Sequence, residues 1–81
     1  MPVVLKYRGY RFFFYSNEGN PREPLHIHVR KGGAVAKFWL EPLPSVAESY
    51  GMSAREMGEL LAIAIEHRDE IEESWNEYFG G

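Results

Sequence analysis

Residues 26–40 read His26-Ile27-His28-Val29-Arg30-Lys31-Gly32-Gly33-Ala34-Val35-Ala36-Lys37-Phe38-Trp39-Leu40, two runs of alternating character joined by a glycine pair. A period of two over a short run is the mark of a half-buried strand, and paired glycines between two such runs are the chemistry of a tight hairpin. With both glycines at positive φ the turn sets the register, so that His28 faces Lys37 and His26 faces Trp39. Alternation then sends Ile27, Val29, Ala36, Phe38 and Leu40 to one face and His26, His28, Arg30, Lys37 and Trp39 to the other.

The same pattern stands upstream. Val3 to Tyr7 and Tyr10 to Tyr15 flank Arg8-Gly9, although an arginine at positive φ is sterically disfavoured and specifies its turn less firmly. If both hairpins join one sheet, Val3, Leu5, Tyr7, Tyr10, Phe12, Phe14 and Leu25 extend the apolar face, while Lys6, Arg11, Phe13 and Tyr15 extend the other. Between the hairpins, residues 16–24 are almost all loop formers, and a connection that long in so small a domain is associated with function.

After Glu41-Pro42-Leu43-Pro44 the period changes to about 3.6. Ser45 with Glu48 is a capping-box pattern for a short helix ending at Gly51, and Ser53 with Glu56 repeats it with Met52 and Met57 placed as a hydrophobic staple. From there Met57, Leu60, Leu61, Ala64, Ile71, Trp75 and Tyr78 keep three-and-four spacing down one long helix until Gly80-Gly81. Its other side is acidic, with Glu59, Glu66, Asp69, Glu70, Glu72, Glu73 and Glu77. The architecture expected is therefore α+β, a single domain over 1–81 with a β-sheet half (1–40) and a helical half (41–81). A four-stranded antiparallel sheet of two hairpins is covered on one face by a short helix and a long C-terminal helix.

The chain has 81 residues and no cysteine, which excludes disulfides, thiolate metal sites and a cysteine nucleophile. A folded chain of this mass buries only about 63% of its unfolded surface, so stability should be modest. The longest apolar run is too short to span a bilayer, and residues 1–20 lack the pattern of a signal peptide, so the chain reads as cytoplasmic, with no membrane contact. The net charge of −3 conceals a division: residues 1–40 carry seven basic and two acidic side chains, residues 41–81 two and ten.

Sorted by face, Lys6, Arg11, Phe13, Tyr15, His26, His28, Arg30, Lys37 and Trp39 share the outer side of the sheet without a carboxylate. Single-strand RNA platforms combine the same two ingredients, aromatic rings for stacking on bases and cations for phosphates. The same residues suit a protein partner or a second copy in a homodimer, and some polar outer face is required of any small sheet. His26 and His28, two apart on a strand, project to one side within about 7 Å of each other. A zinc site needs further ligands, and only carboxylates and His67 on the far helix remain, so neither metal nor cofactor is assigned. Beside Arg30 and Lys37 either histidine can instead act as a general base or acid in metal-independent RNA cleavage. Finally, Ala47, Gly51, Met57 and Leu60 have helix-turn-helix-like spacing over 45–61. A DNA-binding regulator working through that segment would offer Arg55 but also Glu56 and Glu59 to the phosphates.

Gly9-Tyr10-Arg11-Phe12-Phe13-Phe14-Tyr15-Ser16-Asn17-Glu18, Pro24-Leu25-His26-Ile27-His28-Val29, Ala36-Lys37-Phe38-Trp39-Leu40-Glu41-Pro42 and Trp75-Asn76-Glu77-Tyr78-Phe79 together resemble the small prokaryotic family known as domain of unknown function 4160. The resemblance covers essentially the whole chain. It implies a gene neighbour from a second such family, 2442, in a layout reminiscent of toxin–antitoxin pairs, hence a small partner protein and an RNA-directed activity. It implies no catalytic residues, so His26 and His28 stand on this sequence's own pattern.

Overall fold

The alternating runs form antiparallel strands in a computed structural model that describes residues 3–15 and 23–80. Strands β1 (Val3–Tyr7), β2 (Tyr10–Phe13), β3 (His26–Lys31), β4 (Ala34–Trp39) and β5 (Ser45–Tyr50) lie side by side in chain order in one sheet, followed by helices α1 (Ala54–Glu66) and α2 (Arg68–Phe79). The sheet thus has five strands, where four were expected. The loop expected over 16–24 lies mostly outside the described residues.

The central hairpin has the register its glycines imply, with His26 opposite Trp39 and His28 opposite Lys37. Only Gly32 takes positive φ (58°), not both glycines, which is what a type II′ turn requires of its first central residue. In the first hairpin Arg8 (φ 48°) and Gly9 (φ 84°) both do so, giving a two-residue turn with Tyr7 opposite Tyr10. The Arg8 guanidinium lies 5.5 Å from the Tyr7 ring centroid, a cation–π contact that offsets part of the backbone cost. Near its start β1 carries a bulge: Val3 pairs with Phe13 but Leu5 with Phe12. The extra residue reverses the facing, so Val4 packs on the core while Val3, expected inside, is 43% exposed.

Residues 45–50 are strand rather than the short helix that Ser45 and Glu48 suggested. They pair along the free side of β4, with Tyr50 opposite Val35 and Glu48 opposite Lys37. Without them β4 would present a row of unpaired backbone groups, and β-branched and aromatic residues such as Val46 and Tyr50 suit that edge better than a two-turn helix. Gly51 has the positive φ expected of it (76°), but as the end of a strand, with a Cβ there meeting the Ala34 backbone at 3.3 Å.

The second capping box is formed as expected. Ser53 Oγ accepts from the Glu56 N–H at 3.0 Å, and Glu56 Oε1 accepts from the Ser53 N–H at 3.0 Å. The helix it starts is not continuous but breaks at His67 (φ −102°, ψ 21°). A straight helix from Ala54 to Phe79 would run about 39 Å, longer than the molecule's greatest extent of 33 Å, so folding back on the sheet requires the break. It also resets the phase of the apolar stripe: Ile71, Trp75 and Phe79 pack on the core and Tyr78 is exposed.

The core joins Phe12, Phe14, Ile27, Val29, Phe38 and Leu40 from one face of the sheet to Leu60, Ala64, Ile71 and Trp75 from the helices. Among the described residues three polar ties fasten the layers. Glu41 accepts from the Leu25 N–H (3.3 Å) and from Arg68 (3.2 Å), which also donates to Glu72 (2.9 Å). On α1, Glu59 accepts the Tyr7 hydroxyl at 2.8 Å and Glu56 accepts that of Tyr10. These carboxylates hold both phenols above the ordinary tyrosine pKa. The Ser53 backbone N–H, and next to it the Tyr10 hydroxyl, hold Glu56 below the usual carboxylate range.

Candidate nucleic-acid interface

Cross-strand pairing arranges the uncovered face in rows that run perpendicular to the strands. The pairs Lys6 with Arg11, Arg11 with Arg30, Arg30 with Val35 and Val35 with Tyr50 make one row across all five strands. Adjacent strands lie about 4.8 Å apart, so three cations stand shoulder to shoulder at its β1 end. All three are exposed, and among the described residues none of them has a carboxylate within ion-pair distance. Like charges directly opposite each other destabilise a sheet, so this row is not explained by the needs of the fold.

The next row is aromatic at its centre. Phe13, His28, Lys37 and Glu48 are consecutive partners across β2 to β5. His28 stacks on Phe13 (centroids 5.7 Å apart, planes at 26°) and meets Tyr15 (4.5 Å) and His26 (5.2 Å) edge-on. Phe13, expected as an open stacking ring, is only 2% exposed beneath this cluster.

His26 departs furthest from expectation. It is wholly buried, its ring between Trp39 (5.3 Å) and Trp75 (5.0 Å), with Nδ1–H donating to the Pro24 carbonyl at 3.0 Å. With Trp75 of α2 packed against it, His26 is a packing residue and cannot touch a polymer lying on the surface. Lys37 is also more enclosed than expected. Its ammonium lies 4.3 Å from the Trp39 ring centroid and 3.7 Å from Glu23, and its side chain is 17% exposed.

Two concavities lined by described residues lie on the face. A cleft of about 370 Å³ is lined by Tyr15, His28, Arg30, Lys37, Glu48 and Tyr50, among others. A second, of about 290 Å³, is formed by Arg11, Arg30 and Lys31 with Gly9 and Gly32. Arg30 borders both, so the cationic row leads from one into the other. Of the residues proposed from sequence, Tyr15, His28, Arg30 and Lys37 therefore meet at one cleft and Lys6 and Arg11 extend it, whereas Phe13 and His26 lie beneath and Trp39 beside it.

Sequence reasoning missed Glu48 and Tyr50, and with them the carboxylate that a face expected to hold none in fact contains. Val46 and Tyr50 are strand formers, but an irregularity in β5 puts Val46 opposite Phe38 on the covered face and Glu48 opposite Lys37 on the open one, so no regular period of two marks this strand and the Ser45–Glu48 capping pattern stands out instead. The helix-turn-helix-like segment loses its first helix for the same reason: residues 45–50 are β5. No helix among the described residues is long and apolar enough to cross a membrane.

A family model described as Domain of unknown function (DUF4160) matches residues 9–76. No curated protein and no solved structure matches the chain.

Proposed function

We propose that this chain, which belongs to the DUF4160 family, is a cytoplasmic RNA-contacting component of a toxin–antitoxin-like pair, and that single-stranded RNA lies across the open face of its sheet. The observation that carries the reading is the row Lys6–Arg11–Arg30, three adjacent cations with no carboxylate partner among the described residues. A phosphate chain relieves their mutual repulsion and releases counterions as it binds. Tyr15 and Tyr50 supply exposed rings beside that row, and base stacking on such rings contributes about 1–3 kcal/mol per base. Eight of the ten carboxylates of residues 41–81 lie on α1 and α2, directing a polyanion to the opposite side of the molecule.

The test is a titration of labelled single-stranded RNA at several salt concentrations. Three phosphate contacts give a slope of log K against log salt of about −2, and removing one by Arg11→Ala or Arg30→Ala reduces it by about 0.7. Absence of binding at low salt would overturn the reading. Protection of the same face by a co-purified partner protein, with no RNA in the complex, would assign the face to that partner instead.

A second reading, a metal-independent ribonuclease, is favoured by one observation: His28, Arg30 and Lys37 line the same cleft. In it His28 takes the proton of a ribose 2′-hydroxyl as that oxygen attacks the adjacent phosphorus, the 5′-oxygen leaves with a proton from solvent, and the cations stabilise the charged phosphorane. Loss of RNA cleavage in His28→Ala, with folding and RNA affinity retained, supports it; a wild-type protein that binds RNA without cutting it rules it out.

A further inference from the structure

Among the described residues Glu48 is the one carboxylate that lines the 370 Å³ cleft, and it pairs with no cation there. It stands directly opposite Lys37 across β4 and β5, yet the Lys37 ammonium lies over Trp39 and toward Glu23. Glu48 itself is exposed and forms no ion pair among the described residues. In a site that binds only phosphate such a group is a liability, since it repels the ligand that Arg30 attracts. An ionised carboxylate accepts hydrogen bonds and cannot donate them, so whatever it contacts must present N–H or O–H donors.

Among the four RNA bases, guanine alone carries two adjacent donors on its Watson–Crick edge, N1–H and the N2 amino group, spaced to meet both oxygens of a carboxylate. Adenine and cytosine place a ring-nitrogen acceptor beside their single amino group, and uracil places its N–H between two carbonyls, so each of them sets lone pairs against lone pairs. The rest of the cleft suits one nucleotide. Tyr50 and Tyr15, 74% and 40% exposed, offer rings for the base, and Arg30 belongs to the phosphate row. The volume is at the small end for a ligand site, enough for a single base and its sugar. We infer that this cleft reads guanine in single-stranded RNA, with Glu48 as the residue that sets the base preference. The inference rests on the RNA-platform reading and names the ligand of that same face.

The experiment compares, by fluorescence anisotropy on the intact protein, a short oligouridylate with the same oligomer carrying one central guanosine. The guanosine oligomer should bind about tenfold more tightly, within the range of a bidentate base contact, and replacing guanosine by inosine, which lacks the N2 amino group, should remove most of that gain. In Glu48→Gln the preference should vanish while affinity for the plain oligouridylate stays level or rises, because a repulsive charge has gone. Equal, salt-dependent binding of both oligomers by the wild type, or an intact preference in Glu48→Gln, would overturn the guanine assignment and leave the platform standing. Binding of neither oligomer at low salt would overturn both.

Discussion

The two faces of this sheet are built from alternate residues of the same five strands and obey different rules. On the covered face Phe12, Ile27, Val29 and Phe38 are fully buried against Leu60, Ala64, Ile71 and Trp75, and each identity is accounted for by the space it fills. On the open face Lys6, Arg11 and Arg30 stand side by side in an arrangement that costs stability. Packing explains the first set and fails to explain the second. A side chain whose presence the fold does not reward is one whose reason lies outside the fold, and that contrast is what supports the proposal of the uncovered side as the working surface.

The contrast can be broken most decisively by truncating one tryptophan on each side. Trp75→Ala should cost about 3–5 kcal/mol in urea unfolding, the usual loss for a large buried aromatic, and Trp39→Ala distinctly less; equal losses would mean the two faces are equally structural. A smaller effect concerns the cover itself. Ser53→Ala removes the capping hydrogen bond at the start of α1 and should lower stability by about 1 kcal/mol with no change in RNA affinity. On the open face the sign should reverse: Arg11→Glu turns two like-charged cross-strand pairs into opposite-charged ones and should raise stability by about 0.2–1 kcal/mol while RNA binding falls. A variant that lost both would put Arg11 among the structural residues.

The smallest effects lie at the seam where the first hairpin meets α1. Glu56 is held below the usual carboxylate range, so its contribution is present above that range and is lost as pH falls through its folded value. Tyr7 and Tyr10 are held above the ordinary tyrosine value, so theirs is present below about 10 and is lost as pH rises through the folded values. Ultraviolet titration should show these two phenols ionising above the ordinary tyrosine value, and Tyr10→Phe should let Glu56 titrate nearer the ordinary range.

How much of this was legible in the chain depends on whether local chemistry and tertiary demand agreed. They agreed at Gly32-Gly33, so the central register could be read directly, and at Ser53–Glu56, so the start of α1 could be too. They disagreed at residues 45–50, where a genuine capping pattern lost to the pairing requirement of β4, and at His67, where an uninterrupted apolar stripe lost to the length available. Alternation assigned Phe13 and His26 to the correct side of the sheet but carries no information about depth, which neighbouring rings and α2 decide. The site was legible as a set of cations and rings. Its cleft was not, because Glu48 and Tyr50, which line one side of it, come from β5, where the local capping pattern points to a helix.

His26 has one further consequence. The chain holds two tryptophans, Trp39 beside the open face and Trp75 on the inner side of α2, and the same imidazole touches both. Intrinsic emission from this protein is therefore a gauge of how the start of β3 is seated, readable without any label, and a ligand that shifts that strand will be seen from both sides at once.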